Sequence, residues 1–237
     1  AVPVHTDHGR RVLDRFHRAA NLAGFDAMTS VVSHLRSVEL GWGTGDIDLV
    51  VGALARAEEW LPVHRNKEAR SVGYERIRLD LERGVVDDAD ERLRTLPSRW
   101  CSITIDLDHL LLQLGLTLAG LRGDHDAALE LLRDYHASPL PSLGGILVEA
   151  IDGALLAGAD ADLVRVALLD RPEPHDAAFR PWRRTPSIVR IARARVGVAS
   201  GDSGALDELV DALADPDESL TAPALGRLWT VVASEAM

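Results

Sequence analysis

His125 and Asp126 stand side by side, and an imidazole next to a carboxylate can place nitrogen and oxygen ligands on one metal ion that activates water. His109 would have to complete such a site over an unusually short spacing. A plainer reading puts His125 in a turn and Asp126 in the first turn of a helix, where an acid complements the helix dipole. Asp106-Leu107-Asp108-His109 offers a second acid pair, but residues two apart on a helix project about 200° from one another and cannot readily share an ion. They suit a helix N-terminus that begins with Thr104. Gly41-Trp42-Gly43-Thr44-Gly45 is glycine-rich, yet it follows a helix and lacks the Lys-Ser or Lys-Thr that completes a phosphate-cradling loop. A tight turn between helices explains it. No zinc-protease spacing, nucleophile elbow or pair of catalytic carboxylates is present. Cys101 is the single cysteine, so an internal disulfide framework and multi-cysteine metal sites are excluded. It reads as a small core residue in a reducing cytoplasm. These residues therefore point to no enzyme, metal or cofactor.

The elements that would position any site are helices. Aromatic residues make up 4% of the chain, and period-two alternation of β-branched residues does not persist. Ile103–Leu121 and Leu143–Leu156 are apolar around most of a helix surface, as inner helices are. In the segment Asp124–Tyr135, Ala127, Ala128, Leu131 and Leu132 form one stripe at helical spacing. With 237 residues and 46% hydrophobic content the chain can bury a sizeable core, and its mean hydropathy near zero is that of a soluble globular protein. No apolar run reaches the length of a membrane span, and the first residues lack the pattern of a signal peptide. The chain starts without Met, as a processed end or an excised piece would. The formal charge of −11 argues against direct nucleic-acid binding. Lys67 is the one lysine against many arginines, a codon bias that suits a GC-rich bacterial genome.

A punctuation mark recurs along the chain. Helices end at Gly45, Gly84, Gly123, Gly158 and Gly201, spaced 39, 39, 35 and 43 residues apart, and an acidic first turn follows each. Glycine takes the left-handed conformation that closes a helix, and Asp caps the next one. That spacing holds two helices of about 14 residues and two short turns. Seven residues before each glycine stand Val38, Ile77, Leu116, Ile151 and Ala194, all apolar. Six before stand Glu39, Arg78, Thr117, Asp152 and Arg195, all polar. Four before stand Gly41, Asp80, Ala119, Ala154 and Gly197, small in four copies, which lets neighbouring helices approach closely. One buried column beside one exposed column is the expectation.

The segment Gly123-Asp124-His125-Asp126-Ala127-Ala128-Leu129 resembles the turn and second-helix start of a tetratricopeptide repeat. Gly84 through Ala89 matches more weakly, and Gly45 to Asp48 keeps only the turn. The repeats average longer than 34 residues, and the usual Trp, Tyr and closing Pro positions are mostly unfilled. The pattern is closer to the superhelical domains of large bacterial, actinomycete-type transcription regulators, over roughly residues 26 to 235. The resemblance implies an all-α, right-handed superhelix of about five antiparallel helix-hairpin repeats. It also implies the sensor or scaffold part of a longer protein or a stand-alone relative. Neither a P-loop nor a DNA-binding helix-turn-helix is recognisable.

The expected organisation is a single domain over 1–237, with an N-terminal helix over 7–23 and repeats over about 26–63, 64–103, 104–142, 143–183 and 184–237. Pro172, Pro174, Pro181 and Pro186 break any helix from Asp170 to Pro186, which reads as a long inter-repeat loop. Arg180, Arg183, Arg184, Arg190, Arg193 and Arg195 form a basic stretch near Trp182, and an acidic tail follows from Asp202. Mutual neutralisation is the preferred reading, an acidic-partner site the other. In tetratricopeptide-like folds the column Glu39, Arg78, Thr117, Asp152 and Arg195 faces the concave groove. Leu35, Tyr74, Gln113, Val148 and Ile191, ten before each glycine, neighbour it there. Mixed charge among apolar residues suits a protein segment or a small effector. The expected ligand- or partner-binding residues are thus Glu39, Tyr74, Arg78, Gln113, Thr117, Asp152 and Arg195. The expected function is a non-catalytic, cytoplasmic interaction or sensor module with no cofactor, contributing to transcription regulation. The alternative is an all-helical metal-dependent hydrolase using His125 and Asp126.

Overall fold

A computed structural model describes residues 11, 15, 18, 27–59, 61, 66–96, 105–137, 146–170, 185–214 and 220–236. The described residues form helices and the turns beside them, with no strand among them. In chain order the helices are α1 (Ala27–Thr44), α2 (Ile47–Glu59), α3 (Asn66–Glu82), α4 (Val86–Thr95), α5 (Ile105–Arg122), α6 (His125–Ala137), α7 (Leu147–Leu156), α8 (Ala161–Val164), α9 (Pro186–Ser200), α10 (Ala205–Ala214) and α11 (Ala222–Glu235). A π-helical turn, Arg165–Leu169, continues α8 and carries three consecutive buried residues, Ala167, Leu168 and Leu169. The expected helix over 7–23 lies outside the described residues except for Arg11, Arg15 and Arg18, which are helical and exposed. The connection after Asp170 also lies outside them.

All five glycines have positive φ, between 64° and 78°, and each stands between two consecutive helices. The hydrogen bonding explains why. The N–H of the residue after each glycine donates to the carbonyl four residues before it, at Gly41, Asp80, Ala119, Ala154 and Gly197, over 2.8–3.0 Å. The glycine N–H of the last four copies donates to the carbonyl three residues before, at 3.0–3.2 Å. This doubly bonded C-terminal closure requires a left-handed residue, and it satisfies carbonyls that the helix end would leave open. The following acid then caps: Asp46 Oδ1 accepts from Leu49 N, Asp124 Oδ1 from Ala127 N, and Asp160 Oδ1 from Asp162 N and Leu163 N. Val85 replaces the capping acid in the second copy and makes no side-chain cap. In the fifth copy a further positive-φ glycine, Gly204, precedes α10.

Two of the small residues four before a turn glycine, Gly41 and Gly197, face the helix that follows the turn. A Cβ on Gly41 would meet Val50 Cγ2 at 2.5 Å, and one on Gly197 would meet Ala205 Cβ at 2.9 Å. The glycine-rich run Gly41–Gly45 is thus the last turn of α1 and its closure.

The chain divides into two compact units. Unit 1 comprises Ala1–Leu96 with Thr221–Pro223, and unit 2 Pro97–Leu220 with Ala224–Met237. In unit 1, Val31, Val38, Trp42, Leu79 and the α2 stripe Val50, Ala53, Leu54 and Ala57 make one core. In unit 2, the core joins Leu112, Leu116, Leu132, Ile151, Leu168, Ile191 and Leu209, among others. The column seven before each glycine is buried in every copy: Val38, Ile77, Leu116, Ile151 and Ala194 are at most 2% exposed. Helix α5 is buried on nearly all sides from Leu112 to Ala119, in keeping with its largely apolar sequence. It crosses α7 closely, for a Cβ on Gly153 would lie 2.7 Å from the Leu116 carbonyl oxygen. Among the described residues no helix is long and apolar enough to cross a membrane.

Candidate functional site

The polar column lies on the helices that precede the five turn glycines, and its members have different surroundings. Glu39 is exposed and pairs with Arg36 one turn earlier. Arg78 and Thr117 are half-buried, and Thr117 Oγ1 donates to the Gln113 carbonyl at 2.9 Å. Asp152 and Arg195 are buried, at 4% and 6% exposure. The expectation of a uniformly exposed column is therefore corrected at those two positions. Burial there is sustained by pairing: Arg195 Nε donates to Asp152 Oδ1 at 3.0 Å, across α7 and α9. A buried carboxylate without such a partner would carry a large desolvation penalty.

The positions ten before each glycine are corrected as well. Tyr74, Gln113, Val148 and Ile191 are at most 4% exposed, and Leu35 is half-buried against the unit 1 core. They lie three residues from the buried column, on the same helix face, and so share its burial. Tyr74 and Gln113 are core residues that carry polar atoms.

In unit 1, α1 and α3 meet around Trp42, which is 1% exposed. Its indole N–H donates to Glu75 Oε2 at 2.6 Å, and the Arg78 guanidinium lies over the ring at 4.8 Å from the centroid. Glu75 and Arg78 are one turn apart on α3, so one takes the edge of the indole and the other its face. Arg78 Nη2 also donates to Thr221 Oγ1 at 3.2 Å. Arg76 makes a two-point pair with Glu58 at 3.0 and 2.7 Å, and that hydrogen bond raises its pKa above the usual value. Asp80 stands where the other copies have a small residue, paired with Arg92 at 3.0 Å. Burial pushes its carboxyl pKa up, against the pull of Arg92.

In unit 2 the column gains a member that sequence reasoning misses. Arg227, on α11, lies with its Nε 3.7 Å from Asp152 Oδ2, while Oδ1 holds Arg195. One carboxylate thus gathers arginines from two other helices. Its only signal in the sequence is that Arg227 is the lone cation of the acidic tail. Glu149, one turn before Asp152 on α7, is also buried, at 5%. The basic stretch resolves in part. Arg190 lies 3.9 Å from both Glu208 and Asp211 of α10, the expected neutralisation between neighbours. Arg193 is exposed, whereas Arg180, Trp182, Arg183 and Arg184 lie outside the described residues. A cleft of about 450 Å³ opens near the Gly201 turn, where Arg165 and Arg193 face Asp170, Asp202 and Glu208. Its charges are mixed and select no one class of ligand.

His125 and Asp126 are exposed at the start of α6, and Asp106 and Asp108 both lie within α5. Among the described residues no group of three His, Cys, Asp or Glu is placed to hold a metal ion. Compared with protein-family models, curated proteins and solved structures, the chain matches none.

Proposed function

We propose that the chain is a non-catalytic helical-repeat module that recognises a protein segment or a small effector through the polar face of its first helices. In this reading the five hairpins are copies of one tetratricopeptide-like unit and wind as a right-handed superhelix. The observation that carries it is the turn repeated five times, with one backbone conformation, one hydrogen bond and one buried column in register. Such units bury apolar surface against their neighbours and leave a run of equivalent positions on one face, which is how repeat proteins build recognition surfaces. Sensing within a bacterial transcription regulator, in the cytoplasm, is the context that the tetratricopeptide-like resemblance favours.

The test is affinity capture from native lysate with three forms of the chain. Thr117→Arg places a bulky cation on the inner face, and Asp126→Arg alters an exposed site on a second helix. Wild type and Asp126→Arg should retain the same species, and Thr117→Arg should retain about tenfold less, since a misplaced charge repels as well as failing to attract. Retention by Thr117→Arg with loss by Asp126→Arg would place recognition elsewhere.

A further inference from the structure

The contact between Arg227 and Asp152 brings a side chain of α11 to α7 within unit 2. A helix stacked in turn behind α9 would have α9 between itself and α7. Arg227 instead reaches the same carboxylate that Arg195 of α9 reaches, at 3.7 and 3.0 Å. Arg227 of α11 is thus brought to the face that α7 and α9 share, the face bearing the polar column. Ala224 and Leu228 are buried, and Leu225 and Val232 pack against the unit 2 core. These residues form a stripe at helical spacing, with Arg227 beside Leu228.

The seat is shallow. Two of the fourteen residues of α11 are buried, against seven of fifteen in α9. Trp229 is 43% exposed, and Ala233, Ser234 and Glu235 are exposed after it. Gly226 lowers its intrinsic helical stability. An element with few buried contacts opens at a free energy well below that of the core it rests on.

We propose that α11 is a resident occupant of the recognition face of unit 2. The partner is an amphipathic helix that sets an arginine against Asp152 with an adjacent leucine in the Leu228 seat, displacing α11. This rests on the reading of that face as the recognition surface. Asp152 sets the charge: Arg195 satisfies one oxygen, and the other calls for a cation from whatever lies above. An acidic segment would meet the buried Asp152 and Glu149 and be rejected.

Two measurements on the full chain test it. Native-state hydrogen exchange should show the α11 amides protected at least about tenfold less than those of α7 and α9, opening independently of them. A labelled peptide of residues 220–237 should bind the Leu228→Asp chain about tenfold or more tighter than wild type, because the resident helix no longer competes. The same peptide carrying Arg227→Glu should not bind. Equal protection of α11 and α9 would overturn the proposal, as would loss from Leu228→Asp of more helical circular dichroism than the fourteen residues of α11 carry, since either makes α11 an integral part of the core. Absence of peptide binding to a folded Leu228→Asp chain would overturn it too. Peptide binding without any partner captured by wild type would remove the proposed function and leave the occupancy. Capture with a fully protected α11 would do the reverse.

Discussion

Asp152 and Arg195 are two of the column's five members, and their burial changes what substitution there does. Had they been exposed, reversing either would have altered stability by under about 1 kcal/mol. Buried and paired at 3.0 Å, they behave differently. Asp152→Ala leaves the Arg195 guanidinium in the core facing the space it vacates, and should destabilise the chain by about 3 kcal/mol or more. Replacing both, Asp152→Leu with Arg195→Met, should recover most of that loss, because an apolar pair of similar size carries no desolvation penalty. Denaturant unfolding of the two single variants and the double variant gives the coupling. Additive losses would mean that the two side chains do not share one environment. Residue identity at these positions is legible in the sequence, and burial is not. A polar residue six before a turn glycine is exposed or buried according to what lies above it. For Asp152 that includes an arginine 75 positions further along the chain.

Among the helices, the glycines separate three different demands. Gly123 has φ +64° and open space where a Cβ would go, so Gly123→Ala costs only the left-handed backbone, about 1 kcal/mol. Gly153 is helical, but its Cβ would strike the Leu116 and Thr117 backbone within 2.8 Å, so Gly153→Ala must push α5 and α7 apart and should cost more, about 1–3 kcal/mol. Gly52 sits within α2 with nothing near its Cβ, and Gly52→Ala should stabilise by about 0.5–1 kcal/mol. Thermal melts of the three variants should therefore give one increase and two decreases. A stabilising Gly123→Ala would contradict the closure mechanism. The turns are readable because their requirement is local: the backbone conformation, the capping acid and the buried residue seven before all lie within a dozen positions. The tight α5–α7 crossing is not, since Gly153 looks like any other helical glycine until the neighbouring helix is known.

For the molecule as a whole, the sequence conveys the helical class and the turn positions, because both follow from periodicity and from glycine chemistry. The division into two compact units cannot be read from it, as no linker composition marks the step at Leu96. The sequence pattern suggests a continuous polar column, and the structure breaks that column into unlike members. Glu39 is exposed, Arg78 lies over Trp42, Thr117 is half-buried, and Asp152 is shared by Arg195 and Arg227. In the proposed reading recognition falls to the first-helix face, where Thr117 is half-buried in unit 2. Site-specific photo-crosslinking in native cells tests this most directly, since it captures a partner of any identity. A photoreactive residue at position 117, on the first helix α5, should give a discrete adduct of defined mass. The same residue at positions 126 and 130, exposed on the second helix α6, should give none. Adducts from 126 or 130 with none from 117 would contradict the account and move recognition to the helices that follow the turns.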